Sequence, residues 1–265
     1  MKMMHAVALA ATTVGFVGAS ASASNVSFDF TGPVPLAASQ TPGAWYTDRY
    51  APAVFESAAF APASDGFALR HGVREADNQA NRTGGFSGGF YNYQGRKFDL
   101  GLSPTPTASV SIDLYVDSTW NSGTRAGMWT TMSNGNNTFP IIEYVVDGDN
   151  GDGGSFTGFR YWQSGIGWTA TALETPSTDM WYSLQIVLDA TDVHFFINNT
   201  LIDSLDNQGA ESISNVILQA HNEGVAGEYD VYWDNFTAMS VVIPLPGAAG
   251  MALAGMGMIG LRRRR

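Results

Sequence analysis

Residues 109–117, SVSIDLYVD, alternate apolar and polar side chains without a break. Val110, Ile112, Leu114 and Val116 take one side, and Ser111, Asp113, Tyr115 and Asp117 take the other. Side chains of a strand point to opposite faces with a period of two, so this stretch specifies a strand buried on one face. The same pattern runs through Ser183–Leu205, interrupted twice. Leu184, Ile186 and Leu188 point inward, Asp189–Asp192 turns, and Val193, Phe195 and Ile197 return inward. Asn198 and Asn199 then form a hairpin tip, because Asn tolerates the positive φ that a two-residue turn demands. Further strands are expected at 26–30, 67–72, 127–133, 140–147, 157–163, 215–221 and 229–238. Gly, Pro, Asn and Asp cluster between them. A helical period is confined to a short stretch near 50–60. Such punctuation predicts an all-β fold, an antiparallel β-sandwich over residues 24–240, as one domain.

The two ends carry different signals. Met1–Ala23 has one cation, Lys2, then an apolar body, then Ala21-Ser22-Ala23. That order reads as a signal peptide, with signal peptidase cutting after Ala23. At the other end, Gly247–Leu261 holds no charge and is followed by Arg262, Arg263, Arg264 and Arg265. A helix there would be roughly 22 Å long, short of the ~30 Å hydrocarbon core. Pro244 and Pro246 stop it from extending backward. The arginines would stay on the cytoplasmic side while the body leaves the cell. The sandwich is thus expected between an N-terminal signal peptide and a C-terminal hydrophobic helix.

Setting aside Lys2 and the four terminal arginines leaves 24 acidic and 8 basic residues, a formal charge of −16. A body so acidic disfavours nucleic acid and anionic lipid as partners. Cysteine is absent, which excludes thiolate metal sites, cysteine nucleophiles and a lipid-modified cysteine anchor.

Several motifs could carry chemistry. In FRYWQSGIGW (159–168), Tyr161, Trp162 and Trp168 surround a Gly-containing turn. Sugar rings stack on exposed aromatic faces, so these three are the carbohydrate-binding candidates, with extracellular polysaccharide as the partner. Trp181 and Trp233 fall in strands of inward phase and read as core. In IEYVVD (142–147), Glu143, Val145 and Asp147 share a face. Retaining glycosidases need two carboxyl groups ~5–5.5 Å apart, whereas a flat strand separates Glu143 and Asp147 by about 13 Å. The expectation is therefore a non-enzyme, a carbohydrate-binding or purely structural surface protein, with glycoside hydrolysis as the lesser alternative. GFSGG (85–89) matches a nucleophile-elbow pattern but reads as a loop without a following helix. DGDNGDGGS (147–155) fails the spacing of a calcium loop at its fifth, sixth and twelfth positions. Among His71, His194 and His221, no two stand at metal-ligand spacing, and His194 alternates outward.

Two resemblances add expectations. Val242-Ile243-Pro244-Leu245-Pro246, the apolar run and the arginine cluster resemble the PEP-CTERM sorting signal of Gram-negative bacteria, in a variant without the Glu between the prolines. That implies processing of segment 241–265 by an exosortase-like membrane enzyme. It also implies a destination in the outer envelope or extracellular matrix after a transient stay in the inner membrane. WYSLQIVLDATDVHFFINNTLIDSL (181–205) and YDVYWDNFTAM (229–239) resemble the concanavalin A-like, laminin-G-like jelly roll. Many members hold a structural Ca²⁺ through an acid near the end of the last strand, which implies Asp234 as a metal ligand.

Overall fold

A computed structural model describes residues 25–47, 49–74, 93–100, 107–133, 137–149, 154–173, 176–222 and 227–241. The expected signal peptide lies outside the described residues. So do Pro244, Leu245, Pro246, the arginine cluster, loop 85–89 and the centre of loop 147–155. Among the described residues there are strands and no α-helix, numbered β1 to β17 along the chain.

The strands form two sheets. The eight-stranded sheet runs β15 (Thr200–Asp206), β14 (Asp192–Ile197), β13 (Met180–Leu188), β7 (Thr107–Val116), β17 (Tyr229–Val241), β5 (Phe67–Val73), β4 (Val54–Ala59). Beside β17 it also takes β1 (Asn25–Phe28). The nine-stranded sheet runs β12 (Gly167–Ala170), β11 (Ser155–Gln163), β10 (Ile141–Asp149), β8 (Thr124–Ser133), β16 (Ser212–Asn222), β6 (Gln94–Asp99), β3 (Trp45–Thr47), β2 (Leu36–Ala37). The two-residue β9 (Asn137–Thr138) pairs β8. Every pairing between these strands is antiparallel except β2 with β3. This is the expected all-β sandwich.

The alternation read from the sequence sets the packing. Val110, Ile112, Leu114 and Val116 of β7 are fully buried, as are Leu184, Ile186 and Leu188 of β13 and Val193 and Phe195 of β14. Each such side chain contributes roughly 1.5–3 kcal/mol on leaving water. They meet Met128, Ile142, Phe159, Val216 and Leu218 of the opposite sheet in one core. Trp45 sits between Phe55, Phe98 and Phe236, with ring centroids 5.2–5.5 Å apart. Asn198 and Asn199 adopt φ of 49° and 61°, the hairpin geometry expected of them.

Two expectations are corrected. The stretch near 50–60 is strand β4, not helix. Its Phe55 is buried against Trp45, and pairing with β5 overrides the local preference of an Ala- and Glu-containing segment. Trp181 is not core. Tyr182 and Leu184 of β13 face inward, so Trp181 lies on the outside of the eight-stranded sheet, against Tyr115 and Phe60. Its Nε1–H donates to the Pro62 carbonyl. Trp233, by contrast, is fully buried.

Candidate functional site

The outer face of an antiparallel sandwich sheet is ordinarily wet. That of the nine-stranded sheet is not. Strand β8 is buried on both sides from Thr124 to Met132. The outward-phase residues form three rows across the strands. In one row, Gly95, Gln219, Gly127, Glu143, Arg160 and Ala170 are successive register partners. The next, on one side, holds Lys97, Ile217, Trp129, Ile141, Trp162 and Trp168. The third, on the other side, holds His221, Arg125, Val145 and Gly158.

The first row has an ionic centre. Arg160 donates to Glu143 Oε1 from Nε at 2.8 Å and from Nη2 at 2.6 Å. Gln219 Nε2 donates to Glu143 Oε2 at 2.5 Å. Arg125 Nη1 stands 3.9 Å from Glu143 Oε1. The Arg160 guanidinium lies 4.0 Å from the centroid of Trp168, which covers it from the outside. Glu143 and Arg160 are 1% and 0% exposed, so the pair is a buried, fully directed ion pair. His221, 3% exposed, is the register partner of Arg125.

The aromatic row forms its own cluster. Tyr93, Trp129, Ile141 and Ile217 are buried together, with Phe139, Trp162 and Trp168 packed against them. The Arg49 guanidinium caps this cluster, 5.1 Å from the Tyr93 centroid and 5.4 Å from that of Trp129, and donates to the Tyr93 hydroxyl.

The structure separates the three carbohydrate-binding candidates. Trp162 and Trp168 are register partners on the outer face, each partly buried. Tyr161 points the other way, into the core, because neighbours in a strand alternate faces. Its ring packs on Phe195 and its hydroxyl donates to Asp203 Oδ2 at 2.5 Å. Burial and the Asp203 carboxylate push the Tyr161 hydroxyl up to about 12. Tyr161 is therefore a packing residue that ties the two sheets.

The acidic face drawn from Glu143, Val145 and Asp147 does not form either. Strand β10 shifts register between Val145 and Gly148, and Asp147 has φ of 51°. Asp147 Oδ1 instead accepts from the Thr157 hydroxyl. Asp234 is buried at 3% exposure, and its Oδ1 takes the N–H of Asn235 at 2.7 Å. Burial, joined by the charges of Asp65, Asp113 and Asp29, raises its carboxyl to about 6. Among the described residues no three His, Cys, Asp or Glu side chains converge as a metal site, so the calcium expectation finds no ligand group. His194 is a surface residue held between Ser204 and Asp189.

Sequence reasoning missed Arg160, Gln219, Arg125 and Arg49. The available signal was the placing of Arg160 and Gln219 mid-strand, in the phase opposite to the core residues.

No family model matches the sequence, and no curated protein does. Solved structures are similar to this chain. A GH131 beta-glucanase catalytic domain from Podospora anserina is 12% identical, covering 76% of this chain and 86% of its own, with a TM-score of 0.50. An alginate lyase from Chlorella virus is 12% identical over 71% of this chain and 90% of its own, with a TM-score of 0.46. A sialidase is 11% identical over 76% of this chain, with a TM-score of 0.48, but this chain spans only 17% of it. The β-glucanase domain corrects the expectation of a non-enzyme. In that domain the same kind of sandwich carries catalysis.

Proposed function

We propose that the chain is an exported carbohydrate-active enzyme whose substrate lies along the outer face of the nine-stranded sheet. One observation carries this reading: the row of Trp129, Trp162 and Trp168 runs directly beside the row of Gln219, Glu143 and Arg160. Aromatic rings give sugar rings a stacking surface, and the buried ionic centre beneath them holds Trp168 in place through the Arg160 guanidinium. The name of the β-glucanase domain supports the same substrate class.

The chemistry is constrained by what stands on that face. Hydrolysis by two carboxylates needs a second acid within about 5–9.5 Å of the first. Among the described residues of the face, Asp99 is the other acid, and it sits at the far end with Tyr46 Oη and Gln40 Nε2 bonded to it. Glu143 is held by Arg160 and Gln219, which suits orienting work more than proton transfer. His221 stands beside Arg125 as the imidazole of this face, the side-chain type that most often carries a proton in catalysis.

The terminal signals give the location. We read the N-terminal segment as a signal peptide cut after Ala23. The tail around Pro244, Leu245, Pro246 and the four arginines reads as a PEP-CTERM-like sorting signal. Intact-mass measurement of the protein recovered from the producing cell surface tests both cuts. The enzymatic reading is tested by incubating purified protein with glucans and polyuronates and measuring new chain ends. Release is expected, and Trp162→Ala with Trp168→Ala should lower it at least about tenfold, as lost stacking of roughly 1.4 kcal/mol implies. No release from any polysaccharide, with the fold intact by circular dichroism, overturns it.

A further inference from the structure

We propose that a depression at one end of the aromatic row binds a carboxylate-bearing sugar unit, so that the substrate is an acidic polysaccharide. This rests on the reading of that face as the carbohydrate surface. The depression holds about 290 Å³, at the small end of ligand sites and suited to a single sugar unit. Arg49 and Lys97 line it with Trp129, Phe139, Asn137 and Asn215. Two cations, two aromatic faces and two amides make a set that answers a carboxylate, a ring and hydroxyls in turn.

The charge distribution is the stronger argument. The body carries 24 acids and 8 bases, so its far field repels anions. Arg125 and Arg160 on this face answer Glu143, but Arg49 and Lys97 stand together at the depression itself. Arg70 and Arg74 pair with Asp230 on the other sheet, and Arg96 points inward beneath Phe55. A neutral glucan would need no such pair of cations. Within the depression, Asn215 Oδ1 is buried without a hydrogen-bond partner among the described residues. An unpaired buried carbonyl is costly, and a sugar hydroxyl would satisfy it.

The test is affinity electrophoresis of the purified protein in gels holding a polyuronate, the same polymer with its carboxyls reduced to alcohols, or a neutral β-glucan. Retardation by the polyuronate is expected, about tenfold weaker in the reduced polymer, since a hydrogen bond to a charged group is worth that or more. Rising salt should weaken it further. Lys97→Gln should weaken polyuronate binding about tenfold. Asn137→Asp places a carboxylate at an exposed lining position, and should do the same. Equal retardation by the native and reduced polymers overturns the inference, as does unchanged polyuronate binding in both variants. Binding of the neutral glucan alone also overturns it but leaves the proposed function standing. Binding of none of the three overturns both.

Discussion

Gln219 and Glu143 stand on strands that do not touch, yet their side chains meet at 2.5 Å above Gly127. Strand β8 lies between β16 and β10, so the two backbones are separated by two strand spacings, roughly 9.5 Å. The bond closes because the residue between them has no side chain. A Cβ at Gly127 would come within 2.3 Å of Glu143 Cβ. Gly127→Ala must therefore push Glu143 aside and break its bond to Gln219. Overpacking and a lost charge-assisted bond together predict destabilisation of about 3 kcal/mol. The urea midpoint reports it, and under the proposed function release of new chain ends should fall with it even where the fold survives.

Arg160→Met would leave the Glu143 carboxylate buried without its main partner. Breaking a buried pair from one side costs roughly 3–5 kcal/mol. Removing the charge as well, in Glu143→Gln with Arg160→Met, should recover most of that loss. A double-mutant cycle from urea unfolding reads the coupling directly. A double variant no more stable than Arg160→Met alone would deny that the buried charge is the cost.

The same pair shows how far the sequence could be read. The core phase of β7, β13 and β14 was legible because one face is purely apolar, and the Asn198-Asn199 turn because two asparagines fit positive φ. The outer face of the nine-stranded sheet was not legible. A mid-strand Arg160 or Gln219 looks solvent-facing until the register shows that each lines up with Glu143. Tyr161 was misplaced for a related reason. Three aromatics close in sequence suggested one surface, while strand alternation sends Tyr161 and Trp162 to opposite sides. The short strand β4 was obscured because its apolar content fits a helix until β5 is there to pair with it.

His71 gives a pH dependence. Its Nε2–H donates to the Gln94 carbonyl at 2.9 Å, which leaves Nδ1 to accept from Trp233 Nε1–H at 3.4 Å. The ring is fully buried, and desolvation lowers it to about 4 against an ordinary 6.5, with Arg96 acting the same way. Between those values the unfolded chain binds a proton that the folded one refuses. Its stabilising contribution is complete above pH 6.5 and falls as pH drops toward 4, by up to about 3 kcal/mol. His71→Gln should remove that contribution, read as the difference between its urea midpoints and those of the parent from pH 4 to 7.

Asp234 works in the opposite direction over nearly the same window. Its carboxyl is raised to about 6 in the fold against an ordinary 3.8, chiefly by burial. The folded state therefore holds a proton there that the unfolded state has released, and its contribution is lost as pH rises through 6. At pH 7 the ionised carboxylate costs up to about 3 kcal/mol. Asp234→Asn keeps an oxygen for the Asn235 N–H and deletes the charge. It should raise stability at pH 7 by about 2 kcal/mol, seen as a higher urea midpoint, and give no gain at pH 4. Because His71 and Asp234 offset each other, the parent protein should show a shallow profile from pH 4 to 6. His71→Gln should then gain stability on acidification, and Asp234→Asn should lose it. The same variant decides the role of the carboxylate. If Asp234 held a cation, Asp234→Asn would lower the midpoint at pH 7, and a chelator would lower that of the parent.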